Sequence, residues 1–142
     1  MQRAHAGIMK DSVTIVLAED DPDLRALYGE CLRKNGYVVL EAEDGGEALR
    51  LVRSSSPDLL LLDIWMPVLN GLEVLEQIGR SPEAVGLKVV VLSHAIDSDS
   101  RLEGYALGAH DYWTKDITLH ELCEGIEQLI SPNALAPGDR GE

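Results

Sequence analysis

No apolar run in the 142 residues approaches the ~20 positions that a membrane-spanning helix needs. The first twelve residues, MQRAHAGIMKDS, lack the apolar core of a secretory signal. Basic side chains are scarce, with 12 Lys and Arg against 25 Asp and Glu and a formal net charge of −13. That balance leaves no electrostatic footprint for a phosphate backbone, so direct nucleic-acid binding by this segment is not expected. It equally excludes a basic helix lying on a membrane surface. Cysteine is limited to Cys31 and Cys123, without CxxC spacing. Both fall inside helical patterns, where a thiol behaves as a small buried hydrophobe, and they are read that way rather than as a disulfide or redox pair. Repeats and low-complexity tracts are missing. So are GxxxxGK(S/T), GxGxxG and GxSxG, which removes support for mononucleotide, dinucleotide and serine-hydrolase chemistry.

What remains is the length and composition of one soluble globular domain, expected in the reducing cytoplasm. With 45% hydrophobic residues, a core forms without disulfide or structural metal. Short apolar runs alternate with helical spacing. Strands are expected at 13–18 (VTIVLA), 37–41 (YVVLE), 58–62 (DLLLL), 87–92 (LKVVVL) and 109–113. Helices are expected at 21–35, 44–53, 71–79, 98–107 and 118–130, the fourth a weaker one bearing Leu102, Tyr105 and Ala106. Pro22 and Gly36 punctuate the first helix, and Thr118 with Glu121 has the spacing of a capping box. Several strands are nearly continuous apolar runs, as in parallel strands covered on both faces. Five such alternations favour a doubly wound open α/β sheet with right-handed crossovers. Ligands in such sheets bind beyond the carboxyl ends of the strands.

Glu19, Asp20 and Asp21 follow the first strand, Asp63 the third, Ser93 and His94 the fourth, and Thr114 and Lys115 the fifth. Carboxylates gathered at one edge repel one another and raise a pKa unless a cation intervenes. Few protein ligands and room for water suit Mg²⁺ better than Ca²⁺. Asp21, directly before Pro22, reads as a helix cap. Asp63 ends a Leu-only run, where an uncompensated carboxylate is costly. His120, Glu121 and Glu124 lack the second histidine of HExxH and read as a solvated helix face, and His110 reads as a turn or surface residue.

The segments VLAEDDPDLRAL (16–27), LLLLDIWMPVLNGLEVL (59–75), VVVLSHA (89–95) and GAHDYWTKD (108–116) resemble the receiver domain of two-component response regulators. The resemblance spans about residues 12–130, flanked by an N-terminal extension, 1–11, and a flexible tail or linker, 131–142. It implies a flavodoxin-like (βα)5 domain with sheet order 2-1-3-4-5 and helices on both faces. It further implies that Asp63 is the phosphoacceptor and a metal ligand. Asp20 becomes a direct Mg²⁺ ligand, Glu19 one acting mostly through water, and Trp65 the donor of a backbone carbonyl. Met66, Pro67 and Gly71 fit the loop that follows. Ser93 matches the switch hydroxyl, Tyr112 the switch aromatic, and Lys115 the lysine beside the phosphoryl group. His94 stands where the family usually has a small residue, and is read as a modulator of access. Asp116 stands where the family usually has proline; without it a cis bond costs ~3 kcal/mol more, which favours a trans loop.

The resemblance therefore implies a signalling domain, not an enzyme acting on other substrates. It accepts a phosphoryl group from a histidine kinase or phosphotransfer protein and acts on a downstream target or output domain, with homodimerisation open. The competing reading is a phosphorylation-independent interaction module on the same fold. An aspartate-nucleophile phosphohydrolase is disfavoured, because Trp65 occupies the place of its acid/base aspartate.

Overall fold

The computed structural model describes residues 13–94 and 98–131. The extension 1–11, the tail from 132 and the motif residue Ala95 lie outside the described residues. Five strands, β1 (Thr14–Ala18), β2 (Val38–Ala42), β3 (Leu59–Leu62), β4 (Lys88–Ser93) and β5 (Asp111–Thr114), form one parallel sheet in the order β2-β1-β3-β4-β5. Five helices connect or follow them: α1 (Pro22–Lys34), α2 (Gly45–Ser55), α3 (Gly71–Ile78), α4 (Ser98–Ala106) and α5 (Leu119–Ile130). A 3-10 turn at Pro82–Ala84, not expected from the sequence, precedes β4.

The Leu-only run of β3 is explained by its central position. Successive side chains point to opposite faces, and both faces are covered. Leu60 and Leu62 join Val16, Ala18, Val89 and Val91 in the core under α2 and α3. Leu59 and Leu61 join Ile15, Leu17, Val90 and Leu92 in the core under α1 and α5.

Helix starts follow local chemistry. The Asp21 carboxylate accepts the N–H groups of Asp23 (2.9 Å) and Leu24 (3.3 Å), so Asp21 caps α1 as expected. Asp44 caps α2, while Asn70 with Glu73 and Thr118 with Glu121 close reciprocal capping boxes on α3 and α5. His120 is exposed on α5 beside Glu124, the solvated face expected. His110 is exposed too, and its Nδ1 accepts the Val89 N–H at 3.1 Å.

The weaker fourth helix forms where expected, and the reading of the cysteines as buried changes. The apolar residues of α4 do not make an inward stripe. Leu102 is 69% exposed and Tyr105 and Ala106 are exposed, while Gly104 is buried, packed near the Tyr112 ring. A β-carbon there would touch Tyr112 at an ordinary 3.7 Å. The two cysteines, meanwhile, are only half-buried and meet each other across α1 and α5, with their sulfurs 2.8 Å apart. Helical spacing reports the face that each thiol occupies, not which other helix that face meets.

Candidate functional site

The register of the sheet builds the site. Ala18 lies opposite Leu62, so Glu19 and Asp63 leave adjacent strands together, and the Asp63 N–H still donates to Ala18 O (3.0 Å). Likewise Ser93 lies opposite Thr114, and the Lys115 N–H donates to Ser93 O (2.8 Å). Lys115 is thus delivered to the edge by a ladder bond that Ser93 accepts.

Carboxylate oxygens of Glu19, Asp20 and Asp63 all lie within 4.8 Å of one another. Asp20 is exposed, whereas Glu19 is 2% and Asp63 5% exposed. The Lys115 ammonium, also buried, sits 2.6 Å from Glu19 Oε1 and 3.2 Å from Asp63 Oδ2. Glu19 Oε2 accepts the Asp21 N–H (3.1 Å), and Asp63 Oδ1 accepts the Trp65 N–H (3.4 Å).

Burial, and then the neighbouring Glu19 charge, push the Asp63 carboxyl up to about 6 against the pull of Lys115 and the Trp65 N–H. Burial alone would lower Lys115, but its bonds to Glu19 and Asp63 carry it above the ordinary lysine value. The repulsion expected from sequence is therefore present, and the lysine only partly offsets it.

The loop after Asp63 is held by backbone contacts. Gly71 N–H donates to Ile64 O (2.7 Å), and a β-carbon at Gly71 would fall 2.5 Å from Asp63 O. Gly45, opening α2, is as tightly placed, since a β-carbon there would stand 1.9 Å from Leu69 O. Between them Val68 adopts φ +73°, with the Leu69 N–H donating to Pro67 O (2.9 Å), a γ-turn of the strained hand. Trp65 is 66% exposed, and His94 is exposed beside buried Ser93. Tyr112 is buried in the α2/α3 core. No cis peptide bond occurs among the described residues, so the Lys115–Asp116 bond is trans.

Sequence reading missed Arg25. Its Nη1 donates to Glu19 O (2.8 Å), and its Nε pairs with Glu41 (3.4 Å), which also pairs with Arg33 (2.9 Å). Gly29 leaves room for this cluster, since a β-carbon there would meet Glu41 Oε2 at 3.0 Å. An arginine in the first turns of a helix carries no signal separating it from a surface residue.

Among the described residues no helix is long and apolar enough to cross a membrane. Residues 15–127 match the family described as the response regulator receiver domain. The chain is 38% identical over 119 residues to response regulator MprA of Mycobacterium ulcerans, a match covering 84% of this chain and 50% of that protein. It is 31% identical over 117 residues to protein PilH of Pseudomonas aeruginosa, covering 82% of this chain and 97% of that protein. The receiver domain of the Francisella response regulator 1452 superposes with a TM-score of 0.77 at 26% identity, covering 85% of this chain and 98% of that one.

Proposed function

Because the chain belongs to the family of response regulator receiver domains, we propose that Asp63 accepts a phosphoryl group and that the resulting change of charge is passed to a partner surface. The observation that carries this reading is the buried Glu19–Lys115–Asp63 bridge beside exposed Asp20 at one sheet edge. A carboxylate with this environment can act as a nucleophile, forming an acyl phosphate as the donor's bond to phosphorus breaks, P–N in a phosphohistidine and P–O in acetyl phosphate. The transferred group is anionic, so catalysis consists of positioning and charge neutralisation.

The donor set fits a hard divalent cation: three carboxylates from two adjacent strand ends within 4.8 Å, one of them open to solvent. Glu19, Asp20 and Asp63 would hold Mg²⁺ together with the Trp65 backbone carbonyl, and the ion would supply positive charge against the phosphoryl oxygens. Lys115 contributes a second positive charge at the same group. Ser93 offers its hydroxyl to a phosphoryl oxygen from the end of β4. Movement of Ser93 toward that oxygen frees space for the Tyr112 ring, giving a bistable element that phosphorylation shifts. His94, exposed directly after Ser93, acts in this reading as a modulator of access that slows the entry of donors and water to Asp63.

The domain acts as a signalling module, not as an enzyme on external substrates. Family membership supports a histidine kinase or phosphotransfer protein as the phosphodonor, and a downstream protein or output domain as the target. The chain spans half the length of MprA and nearly all of PilH. Acetyl phosphate with Mg²⁺ is expected to add roughly 80 Da to the intact chain. The adduct is expected to be absent from Asp63→Asn. An adduct that persists in the variant would overturn the assignment.

A further inference from the structure

Cys31 on α1 and Cys123 on α5 stand 92 positions apart in sequence, yet their Sγ atoms lie 2.8 Å apart. A disulfide bond is about 2.0 Å long, so the sulfurs need close by only ~0.8 Å. Both thiols are half-buried, which leaves a route for a small oxidant. The Asn35 amide donates to Cys31 O (2.9 Å) and reaches Cys123 Sγ at 3.5 Å, so one side chain bridges the two cysteines. The pair lies on the α1/α5 side of the sheet and shares no side chain with the acidic cluster.

We propose that Cys31 and Cys123 form a reversible internal disulfide, a redox clamp fastening α5 to α1. With hydrogen peroxide as oxidant, one thiolate attacks a peroxide oxygen. The O–O bond breaks, water leaves and a sulfenic acid remains. The second sulfur attacks the sulfenic sulfur, the S–S bond forms, the S–O bond breaks and a second water leaves. The two thiols together give up two electrons and two protons, and the peroxide is reduced to two waters. A dithiol reverses the step by exchange, becoming the disulfide itself. The clamp closes a loop containing β2 through β5, and it ties together the helix that follows Asp20 and the helix that follows Lys115. It restricts the unfolded chain somewhat more than a short-range bridge would.

The test uses the 142-residue chain treated with a small excess of peroxide, then denatured and exposed to N-ethylmaleimide. The oxidised chain is expected to be about 2 Da lighter than the reduced one and to take up no maleimide. A digest is expected to yield the peptide of Cys31 joined to that of Cys123. Dithiothreitol is expected to restore two maleimide additions. The oxidised chain is expected to melt on the order of 10 °C higher, with no such shift in Cys31→Ser or Cys123→Ser. Two thiols still open to maleimide after peroxide, or a disulfide found only between chains, would overturn the proposal. So would an internal bridge that leaves the melting temperature unchanged, since the helices would then not be clamped.

Discussion

The Lys115 ammonium lies nearer to Glu19, at 2.6 Å, than to Asp63, at 3.2 Å. Its closer partner is thus the more deeply buried carboxylate, and Asp63 keeps part of its cost of ionisation. One cation serves two carboxylates, and Asp63 is left as the group that a further positive charge would relieve most.

That cost sets the pH dependence of stability in the metal-free chain. The folded-state pKa of Asp63, about 6, lies above the unfolded value near 3.8. The folded chain therefore binds more protons between these values, so this group's contribution to stability falls as pH rises from about 4 to about 6 and stays low above. Asp63→Asn removes the charge. In EDTA at pH 8 it is expected to be more stable than the parent by on the order of 2–3 kcal/mol, with the gain shrinking toward pH 4. Urea unfolding across that range measures it, and a gain independent of pH would rule out ionisation of Asp63 as the cause.

Lys115→Met leaves Glu19 and Asp63 buried without their shared counter-charge. A loss of about 3 kcal/mol is expected at pH 7.5, and less at pH 5 where protonation relieves the pair. Added Mg²⁺ is expected to recover part of the loss, because the lysine pairs charges and is no metal ligand. Thermal melts with and without the ion give the comparison.

Mg²⁺ titration followed by Trp65 fluorescence is expected to give a weak, saturable change, because Trp65 is exposed and its backbone N–H bonds the Asp63 carboxylate. Asp20→Asn is expected to weaken it severalfold. Identical curves would mean that Asp20 is not a ligand.

Two glycines separate steric from conformational cost. Gly71→Ala drives a methyl group against the Asp63 carbonyl at 2.5 Å and is expected to lose about 3 kcal/mol. Gly86→Ala keeps φ +87° with nothing within 4 Å, so only the left-handed backbone resists it, by about 1 kcal/mol. Denaturant midpoints rank the two, and the reverse order would refute the steric account of Gly71.

If His94 modulates access as proposed, His94→Ala is expected to lose the phosphoryl group severalfold faster than the parent at every pH from 5.5 to 8, because the imidazole bulk that slows water is gone. Slower loss, with a parental rate that follows imidazole titration, would make His94 a general base instead.

The parts of the fold legible in sequence are those decided by local pattern. The Leu-only run ending at Asp63, the cap at Asp21 and the box of Thr118 and Glu121 each carry their reason within a few residues. The acidic cluster was legible because a doubly wound sheet sends every strand's end to one edge. Arg25 was not, since its ion-pair partner Glu41 is brought to it from the neighbouring strand and its bond to Glu19 O depends on how α1 turns back over the end of β1. Nor was the meeting of Cys31 and Cys123, which depends on how two helices pack side by side over the same face. Leu102 and Tyr105 show the converse limit, because helical spacing says which residues share a face but not whether anything covers it.

The pairing of Ala18 with Leu62 also makes the chemistry portable. Each carboxylate is addressed by its place one residue beyond a paired strand end, so changes on the exposed surfaces of α1 and α2 leave Glu19 where it is relative to Asp63. A single residue inserted within β3 would instead turn Asp63 toward the opposite layer of helices and dismantle the cluster at once. The exposed surfaces of α1 and α2 are therefore free to diversify toward new partners, while four consecutive leucines hold the reactive group to one coordinate.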